Sequence, residues 1–305
     1  MVADLKLAIT GATGFVGSRL LDQALEAGHE VRALTRRPQA QRDGVTWVEG
    51  ALDKPDSLAR LVDGADAVIH VAGVINAPGP AGFEAGNVIG TSAVLAAAEQ
   101  AGISRFVHVS SLAAREPKLS AYGASKAGSE ALVAASKLSY AIVRPPAVFG
   151  PGDKEMLELF RMARRGFVLL PPQGRLSVLH ADDLARLLLA LADPAAPNGL
   201  LIEPDDGRHG GWSHPPFRQG LGKALGRRVT TFSTPRAVLT LFSRLDRLVR
   251  RGQAKLTADR VAYFCHPDWM VDPGRGAPEQ LWRPQIVTEQ GLADTADWYR
   301  RQGWL

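Results

Sequence analysis

The sequence is poor in cysteine, in net charge and in long apolar runs. Its 305 residues include one cysteine, Cys265. A single thiol forms no intrachain disulfide, which excludes a stapled secreted scaffold and a cysteine zinc cluster. No run approaches the ~18 apolar residues of a membrane span. The first 25 residues have no signal-peptide layout. A reducing, cytoplasmic setting is therefore expected, with Cys265 acting as a small buried hydrophobe. Lys and Arg total 36 against 31 Asp and Glu, a scattered net charge of +5. That excess is too small to call for nucleic acid, but it suits a phosphate-bearing ligand. His209, His214 and His266 have no metal-ligand spacing, so no metal is expected.

What is present is an ordinary globular mix, 46% hydrophobic and 22% charged, which excludes a disordered chain. Short apolar runs alternate with Ala-rich helical stretches over the first two thirds. Strands are expected at Leu5–Thr10, Glu30–Thr35, Val45–Glu49, Ala67–Ala72, Arg105–Ser110 and Tyr140–Arg144. Each is almost continuously apolar, as parallel strands covered on both faces are. Helices are expected at Phe15–Ala27, Pro55–Val62, Asn87–Ala101 and Tyr122–Ser136. This order predicts an α/β fold, a Rossmann-like doubly wound parallel sheet with a smaller C-terminal substrate lobe. Residues 1–150 would form the nucleotide-binding domain, with later strands reaching about residue 205, and 151–305 mainly the lobe.

The lobe has a looser rhythm. A helix is expected at Lys154–Arg164, a strand at Leu176–His180 and a helix at Asp182–Leu191 N-capped by Asp182 and Asp183. A long loop, Glu203–Pro216, leads into a helix at Phe217–Leu225 closed by Gly226. Trp212, Trp269 and Trp282 read as packing residues. Pro235–Arg251 carries Leu239, Phe242, Leu245 and Val249 along one face, with Arg244, Arg247, Arg250 and Arg251 mainly elsewhere. The reading adopted is an amphipathic helix packed on the lobe. A lid over an apolar substrate and a membrane-surface contact are the alternatives.

Two patterns carry chemistry. Thr10-Gly11-Ala12-Thr13-Gly14-Phe15-Val16-Gly17 follows the first strand and opens the first helix. Gly11 permits the tight turn, Gly14 lets backbone approach a pyrophosphate, and Gly17 lets helix and sheet pack closely. The helix N-terminus favours the anion. Where NAD-binding chains place an acid about 20 residues on, this chain ends its second strand in Thr35-Arg36-Arg37. Arginine there suits a 2′-phosphate, so NADP(H) is preferred over NAD, with Arg36 the first candidate and Arg37 the second. Tyr122 and Lys126 stand four apart, on one face of a helix. An ammonium beside the phenol favours phenolate and suits Tyr122 to proton exchange with a substrate oxygen.

Together these segments resemble the extended branch of the short-chain dehydrogenase/reductase superfamily, the NAD(P)-dependent epimerase/dehydratase family. The other matching pieces are His70-Val71-Ala72-Gly73, Asn87–Thr91, Val109-Ser110-Ser111, Glu130, Val143–Gly152 and His180–Asp183. They span residues 10 to 183. The resemblance implies that Tyr122 is the general acid/base. It makes Lys126 the residue that lowers the tyrosine pKa and binds the nicotinamide ribose. Ser111 would hold the substrate oxygen, with Ser110 as fallback. His70 and Ala72, beside Gly73, would line the adenosine side, although His70 also reads as a satisfied core histidine. Asn87 would bridge backbone near the site. Pro145 and Pro146 would shape the loop against the nicotinamide. The family often has Gly-Asp-Leu after the third strand; here Gly50-Ala51-Leu52-Asp53 displaces the adenine contact to Asp53, beside Leu52.

The function this implies is an NADP(H)-preferring oxidoreductase acting on a small-molecule carbonyl or secondary alcohol, with flavonol-like or hydroxysteroid-like substrates favoured. The alternatives are a nucleotide-sugar epimerase or dehydratase, and a non-catalytic NAD(P)H-binding protein like a complex I accessory subunit. A monomer or homodimer is expected.

Overall fold

A computed structural model describes residues 4–172, 174–250 and 256–305; of the side chains of residues 247 and 250 nothing is described. The chain begins with β1 (Lys6–Thr10), α1 (Phe15–Glu26), β2 (Glu30–Thr35), β3 (Val45–Glu49), α2 (Pro55–Val62) and β4 (Ala67–His70). A short α3 (Pro80–Phe83) runs through a π-helical turn, Glu84–Ile89, into α4 (Gly90–Gln100). β5 (Arg105–Val109), α5 (Ala121–Ala135), β6 (Ser139–Val143), β7 (Ala147–Phe149), α6 (Leu157–Arg164), β8 (Phe167–Leu170), β9 (Arg175–Leu176) and β10 (Val178–His180) follow. The chain ends with α7 (Ala181–Ala192), β11 (Leu200–Ile202), β12 (Trp212–Ser213), α8 (His214–Leu225), β13 (Thr230–Ser233), α9 (Arg236–Arg250), α10 (Ala258–Phe264), β14 (Asp268–Trp269) and α11 (Thr288–Arg301).

These elements fall into two compact units. The first holds residues up to Arg144, Leu184–Glu203 and Ala277–Trp282. Its sheet has seven strands in the order β11-β6-β5-β4-β1-β2-β3, all parallel. Strand order reverses direction at β1, so the gap between β1 and β4 is the switch point where such sheets open a crevice at their carboxyl ends. Thr10, Thr35, His70 and Val109 all end their strands on that edge. Helix residues Leu58, Leu61, Val94 and Leu95 pack with Val68 and Phe106 of the sheet in one buried cluster. Each fully buried Leu or Val contributes roughly 1.5–3 kcal/mol relative to exposure.

The second unit holds Pro145–Asp183, Pro204–Gly276 and Arg283–Leu305. It is built from small sheets, β10-β7, β12-β9-β14 and β13-β8, with α6, α8 and α11. Phe160, Trp212, Phe217, Leu221, Leu292 and Tyr299 form its core. The Trp212 indole N–H donates to Asp206 Oδ2 at 2.7 Å. Trp269 and Trp282 are half-buried. No described helix is long and apolar enough to cross a membrane.

Several expectations need correction. The expected strand at Leu176–His180 divides into β9 and β10. Asp182 and Asp183 do not precede α7; they lie in its first turn. The Asp183 carboxylate instead accepts the Gln285 and Ile286 N–H groups at 3.0 and 3.1 Å. The loop Glu203–Pro216 contains β12 and the start of α8, whose first turn accommodates proline because its N–H groups have no intrahelical partner. α8 does end at Gly226, in the left-handed region at φ 66°. α6 starts three residues late, because Asp153 first accepts the Glu155 and Met156 N–H groups. Cys265 is half-buried rather than buried.

The largest correction concerns α9. Phe242, Leu245 and Val249 are exposed and Leu239 is half-buried, so the apolar face is not packed on the lobe. Ser243, on the opposite side, is buried. Arg244 is exposed; the side chains of Arg247 and Arg250, and Arg251 as a whole, lie outside what is described.

Candidate active site

The glycine turn has the tight geometry its spacing implies. Gly11 has φ 75°, and a Cβ on it would lie 2.7 Å from the Ala72 nitrogen. A Cβ on Gly17 would lie 2.0 Å from the Gly11 carbonyl oxygen, so α1 packs directly on the turn. Gly14 donates its N–H to that same carbonyl at 2.9 Å. It occupies the N-cap of α1 and no side chain caps the helix. Thr13 is exposed, and Phe15 and Val16 are half-buried beside it. This is a cradle of bare backbone at a helix N-terminus, the environment a pyrophosphate needs.

Around it, Arg36 and Arg37 extend into solvent past the end of β2 and pair with no carboxylate among the described residues. Thr35 closes the turn beneath them, its hydroxyl donating to the Arg37 carbonyl at 2.7 Å. Asp53 is exposed and Leu52 half-buried. Ala51, at the place of the family's acid, has its N–H donated to Ser57 Oγ at 3.3 Å. These groups fit an adenine dinucleotide, with two free guanidinium groups beyond β2.

His70 is fully buried and does not line a ligand surface. Its ring nitrogens meet Thr10 Oγ1 at 2.7 Å and Thr91 Oγ1 at 3.0 Å. Burial, with Lys126 nearby, drops its pKa to about 3, so the ring stays neutral. Its contribution is indirect: Thr10 Oγ1 accepts the Ala72 N–H at 3.1 Å and so fixes the chain leaving β4. A Cβ on Gly73 would lie 3.1 Å from both Asn87 Oδ1 and Lys126 Nζ, which accounts for glycine there. Asn87, carried on the π turn, bridges backbone as expected. Its Oδ1 accepts the Val74 N–H at 2.6 Å, and its amide donates to the Val74 carbonyl and Ser125 Oγ, each at 2.9 Å.

Tyr122 lies in the first turn of α5, which Ser120 caps by accepting the Gly123 N–H at 2.9 Å. Gly123 allows close approach, since its Cβ would lie 2.6 Å from the Ala113 carbonyl. That approach brings Tyr122 to Ser111, with which it shares a side-chain hydrogen bond. The Tyr122 ring also lies 5.9 Å from that of Phe83. Lys126, one turn on, is buried and donates to the Val109 carbonyl at 3.0 Å. Burial lowers its pKa to about 8, against the pull of Glu130. The phenol departs from the expected direction: burial raises the Tyr122 pKa, and the Ser111 hydrogen bond offsets this only in part.

The two serines are engaged differently. Ser110 donates to Glu130 Oε1 at 2.5 Å. Glu130 receives Arg144 in a two-point contact, Nε to Oε1 at 2.8 Å and Nη2 to Oε2 at 2.6 Å. Arg144 also reaches Glu203 Oε1 at 3.2 Å, and Arg115 reaches Glu203 Oε2 at 3.3 Å. Motif reading does not find Arg115, Arg144 or Glu203 as members of this buried network. Their partners lie up to 88 residues apart, so no local spacing signals them. Pro145 opens the second unit.

Comparison with known proteins identifies the family and the fold. Residues 11–191 match the family model described as NAD(P)H-binding. A ceramide reductase of Caulobacter vibrioides is 37% identical, over 98% of this chain and 96% of its own length. A 2-alkyl-3-oxoalkanoate reductase of Stenotrophomonas maltophilia is 30% identical, over 94% of this chain and 97% of its own. Among solved structures, the Bordetella bronchiseptica enzyme WbmG in complex with NAD and UDP has the same fold, with a TM-score of 0.77 at 19% identity over 99% and 97% of the two chains. The chain thus belongs to the NAD(P)-binding extended short-chain dehydrogenase/reductase family and is an oxidoreductase.

Proposed function

We propose that the protein is an NADPH-preferring reductase of a ketone carried on a long apolar chain. The observation that carries the reading is the hydrogen bond between Ser111 and Tyr122, with Lys126 one helical turn on. The two similar reductases are named for a ceramide and a 2-alkyl-3-oxoalkanoate, both lipid-like, which favours such a substrate over a steroid or flavonol. The 2′-phosphate preference rests on Arg36 and Arg37 standing free beyond β2.

When bound, the nicotinamide supplies the hydride. Gly11, Gly14 and Gly17 seat the pyrophosphate, with Thr13, Phe15 and Val16 beside it. Ala72 and Gly73 give the adenosine a close backbone wall. Leu52 and Asp53 flank the adenine, and Lys126 reaches the nicotinamide ribose. Ser111 orients the substrate carbonyl by a hydrogen bond to its oxygen. Tyr122 donates its phenolic proton to that oxygen as it gains negative charge. A raised pKa keeps the phenol protonated at neutral pH, which suits it to the reducing direction. The Lys126 ammonium stabilises the phenolate left behind.

The test is steady-state oxidation of NADPH and of NADH against soluble 3-oxo acyl substrates of increasing chain length. The reading expects kcat/KM to rise with chain length and to favour NADPH by at least ~10-fold, about 1.4 kcal/mol. Equal use of both cofactors contradicts the 2′-phosphate assignment. Turnover of a nucleotide-diphosphate sugar, with none of the ketones, contradicts the substrate.

A further inference from the structure

α9 is amphipathic, but it is turned the unusual way round. Val238, Leu241, Phe242, Leu245, Leu248 and Val249 occupy one arc of the helix at the i, i+3, i+4, i+7 spacing, and all six are exposed, with Leu248 and Val249 at 76% and 82%. The opposite arc is the inward one. Ser243 there is only 4% exposed, and Asp246 Oδ2 accepts the Leu256 N–H at 2.8 Å. A helix that packs its polar side inward and offers a continuous apolar stripe outward needs something to cover the stripe. The strand preceding α9 and its sheet partner carry further exposed apolar residues. Phe232 of β13 and Leu169 of β8 are partners in register, so they sit side by side on one sheet face, and both are exposed.

Charge decides among the occupants. Within the helix, four arginines, Arg236, Arg244, Arg247 and Arg250, stand against one acid, Asp246, and Arg251 follows at once. Arg236 and Arg244 are exposed. Two copies of such a helix packed stripe to stripe would offer these arginines no acidic partner on the helix beyond Asp246. An anionic surface with an apolar interior matches both properties, because basic residues meet headgroups while the apolar arc enters the acyl boundary. We propose that α9 is an interfacial helix that docks the enzyme on an anionic phospholipid bilayer, its apolar arc lying in the plane of the membrane surface. The inference does not depend on the catalytic assignment. It adds to the lipid-substrate reading a route by which a poorly soluble ketone meets the enzyme.

The test is co-flotation of the full-length protein with vesicles of phosphatidylcholine alone and of phosphatidylcholine mixed with phosphatidylglycerol. Binding to the mixed vesicles and not to the neutral ones is expected. The double variant Leu248→Asp, Val249→Asp changes two solvent-facing side chains, so its fold and its turnover of a short soluble ketone should match wild type. Its partitioning onto mixed vesicles should fall at least ~10-fold. Arg244→Glu should weaken partitioning about 10-fold and make the remainder more salt-sensitive. Failure of the wild type to bind mixed vesicles overturns the proposal. So does equal binding by the double variant, or equal binding to both vesicles. A dimer seen by light scattering, abolished by the double variant, with no vesicle binding, assigns the stripe to a second copy of the chain instead. Because flotation reads no chemistry, an inactive enzyme that floats contradicts only the reductase reading.

Discussion

At the scale of single residues, the proposed mechanism divides chemistry and scaffold between two adjacent serines. Ser111 lies on Tyr122, whereas Ser110 is spent on Glu130. Ser111→Ala should therefore lower kcat about 10²-fold, and Ser110→Ala should leave kcat near wild type while lowering the unfolding midpoint. Equal kinetic losses from the two variants would contradict the assignment. Arg144 joins Glu130 to Glu203, whose side chain is fully buried. Arg144→Met leaves Glu130 with Ser110 and Glu203 with Arg115 but removes the cation between the two carboxylates, and should cost about 3–5 kcal/mol of stability in urea titration. A loss below ~1 kcal/mol would mean water reaches them. Lys126 loses its proton as pH rises through about 8. The kcat/KM for ketone reduction should accordingly decline above that pH, while a flat profile to higher pH would remove Lys126 from the chemistry.

At the scale of elements, Gly17 ties α1 to the turn before it. Gly17→Ala puts a methyl group 2.0 Å from the Gly11 carbonyl oxygen, against backbone that cannot move freely. A loss of about 1–3 kcal/mol in stability and a rise in the cofactor Kd are expected from denaturation and fluorescence titration. Which elements are legible in the sequence follows from what sequence patterns encode. The parallel strands are legible because most are largely apolar between turn residues; β2, β3 and α2 have the expected ends. The π turn at Glu84–Ile89 is not, since Asn87–Ile89 read as the start of the α4 helix and nothing in Glu84–Gly86 signals the wider turn. α9 is instructive: periodicity shows that one face is apolar, but not which side of the helix meets the protein. The glycine turn and the Tyr122–Lys126 spacing are local and therefore visible. The Arg144–Glu203 contact joins strand ends 59 residues apart and is not. The raised Tyr122 pKa depends on burial, which spacing alone does not report.

At the scale of the whole molecule, acid sensitivity follows from histidines buried in the first unit. His70 has its pKa lowered to about 3, and His108 is driven well below its usual 6.5 by burial and the charge of Lys126. Both stay neutral in the fold and protonate in the unfolded chain below about pH 6.5. The unfolded chain then binds more protons, so stability falls with pH, by up to ~1.4 kcal/mol per unit for each histidine. Asp153, raised to about 6 by burial, acts in the opposite sense and offsets part of the loss as pH falls through 6. Urea midpoints should decrease from pH 7 to pH 5; an increase would contradict the buried neutral histidines. The central claim, that this chain transfers a proton through Tyr122 to a ketone beside a bound NADPH, is tested most directly by Tyr122→Phe. With a soluble 3-oxo acyl substrate, kcat should fall about 10²–10⁴-fold while the NADPH Kd from fluorescence titration stays at the wild-type value. Retained turnover in that variant would contradict the account.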